Sequence, residues 1–444
     1  MALEINLAIA KGPTLPEEAL RSAEKLLNDR DRRLAHGLVH ESLRHRLRLE
    51  RIIKSMAPGG KPPKKALEIL KIGLTQLMFM DRVPSFAAVN ETVRLAKAVV
   101  PYLSGFVNAV MARLAREREA KREDPERLFP AEPCPQDLTA LGRLSTFYSY
   151  PPWLVERAVA DLGFREARAL LVASNLHPRP TIRVNPLKTS REAFQAGFPT
   201  PLTPTPFSPH GLVPGGPSLG PVESWPGFAE GLFAIQDEAS QILPLLAGEP
   251  KTILDGCAGL GGKTLALASA FPEAAIVSVD NSAKRLAHIP PEAMRLGLKN
   301  PPRVIEGDLR ALDPGRPSRY DLAVVDAPCT GLGVIRRHPD IKWNSQPGDP
   351  AQKSALQLEL LLAASRFVAP GGRLIYSVCT FTDEEGPSVV SRFLAQSPDF
   401  APLGPVNFPQ RLKDLFTGPG LMRLWPHKHF TDGFFYGLLQ RRSP

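Results

Sequence analysis

The sequence predicts a multidomain chain: an all-α N-terminal domain, a small α/β segment, and a C-terminal Rossmann-like α/β domain with a mostly parallel sheet. Three observations predict it. Helical apolar periodicity fills the stretch from Thr14 to Arg122, a Pro/Gly-rich region follows in the middle, and from Leu232 short β-branched runs alternate with helix-length stretches. With 444 residues the chain has room for two or three cores, and we expect them at 1–125, 137–230 and 231–444.

The first domain opens with Thr14, Pro16 and Glu17, a capping box with proline in the first turn. "ALEILKIGLTQLMFM" from Ala66 is apolar on all sides and predicts a central helix. "FVNAVMARLAREREAKRE" from Phe106 is amphipathic and ends in a solvated charge run. "EDPERLFPAEPCPQ", Glu123 to Gln136, carries four prolines and predicts a linker.

The middle segment begins with helical signals in "PPWLVERAVADLG" and "EARALLVASNL". It continues in "TIRVNPLKTSREAF" as a strand, a turn and a helix. Phe198 to Gly231 is rich in proline and glycine, so little regular structure is expected there.

Five runs then predict parallel strands: "TILD" from Thr252, "AIVSVD" from Ala275, "RVIEGD" from Arg303, "LAVVDAP" from Leu322 and "RLIYSVC" from Arg373. Ligands of such sheets lie beyond the carboxyl ends of the strands.

Composition narrows the function. Hydrophobic residues make up 43% and charged residues 23%, which excludes a disordered or fibrous chain. A net charge of +10 favours a polyanionic partner. The four cysteines, Cys134, Cys257, Cys329 and Cys379, form no CxxC pair and have no histidine at zinc spacing, so neither a disulfide framework nor a metal is expected. Free thiols and the lack of a long apolar run predict a cytoplasmic protein that does not enter a membrane.

The first parallel strand runs into "GCAGLGGKT", Gly256 to Thr264. A Walker loop needs glycine where Cys257 stands, and a dinucleotide GxGxxG needs it where Thr264 stands. What fits is a ligand with an adenosine and a carboxylate but no phosphate, as in S-adenosylmethionine. Asp280, ending the second strand, suits ribose hydroxyls and Asp308, after the third, an adenine amine, although either can equally cap a helix.

Two cysteines stand at strand ends, Cys329 in "DAPCTGLG" and Cys379 in "YSVCT". A lone cysteine is usually a small buried hydrophobe, but a pair at the functional edge suits cytosine C5 methylation. Carbon 5 is too weak a nucleophile until a thiolate adds at carbon 6. A carboxyl group facing ring nitrogen 3 and the exocyclic amine then holds that edge, a role that fits Asp326. Spacing alone does not say which cysteine attacks.

"DAPCTGLGVIRRHPDIKW", "GCAGLGGKT" and "YSVCT" together resemble the Sun-type RNA 5-methylcytosine methyltransferases, class I enzymes with S-adenosylmethionine as cofactor. The similarity extends to "IQDEAS", "RVNPLKTS" and "DGFFYGLL", while "AAVNETVRLAK" with "FVNAVMARL" looks like a NusB-type RNA-binding helical domain. The resemblance implies Cys379 as nucleophile and Cys329 as the residue that helps release product. It implies cofactor contacts from Cys257, Ala258, Gly259, Leu260, Gly261, Gly262 and Lys263, and from Asp280, Asp308 and Asp326. The family usually has Ala-Pro at Gly259-Leu260 and Thr at Val378, so this chain departs there. The implied target is a cytosine of small-subunit (16S) ribosomal RNA, free or partly assembled, acted on by a monomer. Alternatives are transfer RNA, DNA, or a non-catalytic assembly factor. Arg336, Arg337 and Lys342 are expected on RNA phosphates, and Trp343 on a base or packed in a core.

Overall fold

A computed structural model of the chain describes residues 2–9, 28–57, 62–80, 83–120, 139–216, 219–313 and 319–443. The capping box at Thr14, the linker from Glu123 to Gln136, and Cys134 lie outside the described residues. The chain divides into two compact units. One is residues 1–176 together with 335–347; the other is residues 177–334 and 348–444.

The helical unit contains the predicted central helix, Lys64–Phe79, with residues buried around its whole circumference, Ile69, Leu70, Leu74 and Leu77 among them. The buried Glu68 and Lys71 offset each other's desolvation at 2.7 Å. The helix Ser85–Val99 contributes Ala88 and Ala96 to that core, and Ser104–Ala120 contributes Val107, Val110, Met111 and Leu114. Asn28 caps Asp29–Arg44 by accepting from the Asp31 amide. The helices Ala140–Tyr148 and Pro152–Ala173 pack with this compact unit, which runs to Leu176.

The second unit holds two sheets. The first is antiparallel and contains β1 (Ile182–Val184), β2 (Leu202–Pro204), β3 (Gly211–Pro214) and β4 (Phe233–Ile235), in the order β2-β3-β1-β4. Two of its strands lie inside the Pro/Gly-rich stretch from Phe198, where little regular structure was expected. The fourth lies beyond residue 230.

One side of the larger sheet, out to its β7 edge, is formed by the five predicted parallel strands: β5 (Thr252–Asp255), β6 (Ala275–Asp280), β7 (Arg303–Glu306), β8 (Tyr320–Asp326) and β9 (Val368–Val378). Their order, β9-β8-β5-β6-β7, reverses direction at β5 and β8. Antiparallel strands β10 (Phe400–Pro402), β11 (Phe416–Gly418), β12 (Leu421–Leu424) and β13 (Phe434–Arg441) extend the β9 side. Apolar clusters cover both faces, one around Ile253, Val324 and Ile375, the other around Leu254, Val325 and Leu374. Alternate residues of β5, β6, β8 and β9 thus point to opposite buried faces, which is why those strands read as largely apolar runs, while the edge strand β7 stays mostly exposed. Among the described residues no helix is long and apolar enough to cross a membrane.

Candidate active site

The reversal of strand order places the loop after β5 beside the end of β8, where open α/β sheets bind ligands. The loop turns into the helix Gly262–Ala270 through Gly261, whose φ is 86°. A Cβ there would fall 2.4 Å from Ile289 Cγ1, so only glycine fits. No side chain caps this helix, which leaves its first-turn amides to a ligand carboxylate. Gly259 donates its amide to Asp280 Oδ2 at 2.9 Å, so the loop is tied to the end of β6. Next to it Leu260 is exposed, and a Cβ on Gly259 would meet nothing within 4 Å. The loop is therefore open to solvent on that side. Cys257 is an exception within it, because burial and the carboxylates of Asp255, Asp326 and Asp280 push its thiol well up, leaving it inert.

The three strand-end acids differ. Asp280 is buried, accepts from the Ser282 amide at 3.0 Å and pairs with Arg285 at 3.0 Å. Asp308 caps a short turn through the Arg310 amide and binds the Arg310 side chain at 2.7 Å, which holds its carboxyl below the usual range. Asp326 ends β8. It accepts from Lys263 Nζ at 2.6 Å and from Ser377 Oγ, its neighbour across β9, at 2.8 Å. Burial opposes the Lys263 charge, but Asp326, with Cys379 and Asp255, more than offsets this and holds the ammonium above its ordinary range. Lys263, expected on the cofactor, thus has its amine on the carboxyl group expected to face the base.

The two strand-end cysteines meet: Cys329 Sγ lies 3.3 Å from Cys379 Sγ. The hydrogen bond to Cys379, then burial, then the charges of Cys379 and Glu385 hold the Cys329 thiol well above its ordinary value. Sequence reasoning missed what fixes this pair. Glu385, fully buried, accepts from the Thr330 amide (2.8 Å), Thr330 Oγ1 (2.6 Å), Thr382 Oγ1 (2.9 Å) and Gln357 Nε2 (3.1 Å). Thr330 and Thr380 also meet at 3.0 Å. In "FTDEEG" this glutamate reads as part of a solvated turn, and nothing local marks it. On the other side Gly333 donates to the Cys379 carbonyl at 2.9 Å and accepts from Gly433 at 2.8 Å; a side chain on Gly333 would strike the Gly433 carbonyl.

The basic residues after the cysteine motif lie in the segment that joins the helical unit. Lys342 is fully buried there and donates to the Arg44 carbonyl (3.0 Å), the Ser149 carbonyl (3.1 Å) and Asn175 Oδ1 (2.6 Å), above the Tyr150 ring. It is out of reach of an RNA phosphate in this arrangement, because its amine is spent on buried carbonyls. Trp343 Nε1 donates to the Leu43 carbonyl at 2.8 Å, which matches the packed reading. Arg336 is buried and its carbonyl accepts from Arg44, while Arg337 is half-buried. Among the described residues no group of His, Cys, Asp or Glu is arranged to hold a metal.

Comparison with known proteins agrees with this geometry. Residues 242–440 match the family described as 16S rRNA methyltransferase RsmB/F, residues 7–116 the NusB family, and residues 150–213 the ferredoxin-like domain of the RsmF/B-like methyltransferases. The chain is 35% identical to a probable ribosomal RNA small subunit methyltransferase B of Synechocystis sp., over 94% of this chain and 92% of that one. It is 32% identical to the ribosomal RNA small subunit methyltransferase B of Klebsiella pneumoniae, over 100% and 97%. Among solved structures, PH0851 superposes with a TM-score of 0.76 at 25% identity, covering 99% of this chain and 97% of that one. NSun6 from Pyrococcus horikoshii, crystallised with SFG, gives 0.57 at 22% identity, covering 67% and 99%. An uncapped glycine loop at the switch point, acids at or just beyond the ends of the next three strands and this kinship over the full length carry one conclusion: the chain belongs to the RsmB/F family of S-adenosylmethionine-dependent RNA methyltransferases.

Proposed function

We propose that the protein methylates carbon 5 of a cytosine in small-subunit ribosomal RNA, with Cys379 as the covalent nucleophile. The observation that carries this reading is the meeting of two cysteine sulfurs at 3.3 Å, beside a carboxylate held by Lys263 and Ser377. Bound along residues 257–263, with Asp280 on the ribose and Asp308 near the adenine, S-adenosylmethionine supplies an electrophilic methyl group.

The residues then act in order. Cys379 as thiolate adds to carbon 6, its electron pair forming the S–C bond while the ring double bond moves to make carbon 5 electron-rich. Asp326 holds the nitrogen 3 and amine edge where charge collects, and Lys263 stabilises it from behind. Carbon 5 takes the methyl group, and its proton must then leave.

The chemistry gives Cys329 its timing. While Cys379 is a thiolate, Cys329 keeps its proton because the hydrogen bond and the neighbouring charge hold it there. Once Cys379 is a thioether both influences fall away, and Cys329 releases its proton to water more readily. As thiolate it takes the carbon 5 proton; the ring double bond re-forms and the S–C bond to Cys379 breaks. A target in a loop or single strand suits this route, since a paired base must first be flipped out.

The test is a pair of variants on 16S rRNA with labelled methyl donor. Cys379→Ala abolishes transfer and leaves no covalent RNA. Cys329→Ala accumulates an RNA–protein adduct that survives denaturing electrophoresis. Methyl transfer at the normal rate by Cys379→Ala would overturn the proposal, and bisulfite sequencing of ribosomal RNA from a deletion strain checks the substrate.

A further inference from the structure

On the central strand of the small sheet, β1, Ile182 and Val184 point into the apolar cluster with Phe194 and Trp225, so Arg183 points to the opposite face. Its neighbours there are Gly211 on β3 and Ala234 on β4. Neither can cover the guanidinium. Arg183 lines a cavity of about 370 Å³, within the range of small-molecule sites. Arg373, from the middle of β9, lines it too.

The charges of this wall are unbalanced. Arg183 is 6% exposed and its Nε has no hydrogen-bond partner among the described residues. The charge acting on it is another cation, Arg295. Arg373 is half-buried and donates Nη1 to the Leu246 carbonyl, with no carboxylate at hand. The only acid among the described lining residues, Glu249, is exposed and acts on neither arginine. Gln241 Oε1, also on the wall, is a buried acceptor without a donor. A buried unpaired guanidinium is costly unless something of opposite charge joins it.

We propose that this cavity binds a small phosphate monoester, its oxyanion between Arg183 and Arg373 and its body against Leu245 and Phe271. Guanidinium forks match phosphate oxygens, and two cations suit a group carrying about −1.5 to −2 charges better than a carboxylate. The site is separate from the cysteine pair and independent of the methyl-transfer reading.

The experiment uses the full chain saturated with S-adenosylhomocysteine, in phosphate-free buffer, titrated with inorganic phosphate and phenyl phosphate by calorimetry and thermal melting. We expect both to bind and to raise the melting temperature, phenyl phosphate more. Arg183→Met should lose at least ~10-fold in affinity while melting no lower than wild type without ligand, because it removes an unpaired charge. A purely structural arginine would instead melt lower. Should Arg183→Met not fold, Arg373→Gln is expected to show the same loss of affinity. Three results would overturn the site: no binding of either probe up to ~10 mM, unchanged affinity in the variants, or Arg183-dependent binding of RNA oligonucleotides alone.

Discussion

Replacing Glu385 with alanine takes one acceptor group from four donors, and their fates differ. Thr330 Oγ1 can turn to Thr380 Oγ1, already at 3.0 Å, and Gln357 Nε2 keeps the Pro328 carbonyl at 3.0 Å. Thr382 Oγ1 can rotate. The Thr330 amide cannot, and an orphaned buried N–H costs about 1–3 kcal/mol. Truncating a fully buried side chain adds roughly 2 kcal/mol of lost packing. The sum is about 3–5 kcal/mol, or roughly 6–20 °C in melting temperature for a unit of this size. Glu385→Gln keeps an oxygen for the Thr330 amide and loses only charge assistance, about 1–2 kcal/mol. Because Thr330 follows Cys329 directly, the alanine variant also frees that sulfur to shift, and a displacement of about 1 Å can lower the rate ~100-fold. Urea unfolding and initial rates of methyl incorporation measure both effects. An alanine variant that melts within about 2 °C of wild type, or that is no worse than the glutamine variant, refutes this account of what fixes the cysteine loop.

Further expectations concern the sheet edge and the helical unit. Burial pushes the Asp255 carboxyl up to about 6, so its contribution favours the fold at low pH and is lost as pH rises through that value. Against an ordinary 3.8 this is roughly 3 kcal/mol, so in urea unfolding Asp255→Asn should gain on wild type progressively between about pH 4 and 7, with no gain below. Gly261→Ala, at φ 86° and against Ile289, should cost more stability and cofactor affinity than Gly259→Ala, at φ 55° in open space; equal losses by calorimetry would count against the loop geometry. Lys342→Met leaves the acceptors of Arg44, Ser149 and Asn175 unmet and should lower stability by about 2–4 kcal/mol. It should leave the salt dependence of RNA binding unchanged, whereas loss of a phosphate contact would shift that slope by about 0.9.

What could be read from the sequence follows from length and burial. The inner parallel strands are buried on both faces and appear as largely apolar runs, as "AIVSVD" does at Ala275–Asp280, while the edge strand Arg303–Glu306 is mostly exposed. The strands Leu202–Pro204 and Gly211–Pro214 were hidden, because three or four residues rich in proline and glycine cannot display a period of two. The placing of the two cysteines and Asp326 at strand ends was legible because the runs before them read as strands. Glu385 was not, since its partners come from Thr330 and Gln357, far off in sequence, and a charge next to other charges reads as solvent-facing. Lys342 misled for the same reason: in "RRHPDIKW" nothing separates a buried lysine from an exposed one, and only the carbonyls of distant helices decide.

The excursion of residues 335–347 bears on how the protein is made. The helical unit includes a stretch synthesised more than 150 residues after its own last helix, Pro152–Ala173. A ribosome adding about 5–20 residues per second therefore releases an N-terminal half whose acceptors at Arg44, Ser149 and Asn175 wait many seconds for the lysine that satisfies them. A gene fragment ending near Leu176 would leave that socket empty for good, so severing the chain there does not isolate a finished domain.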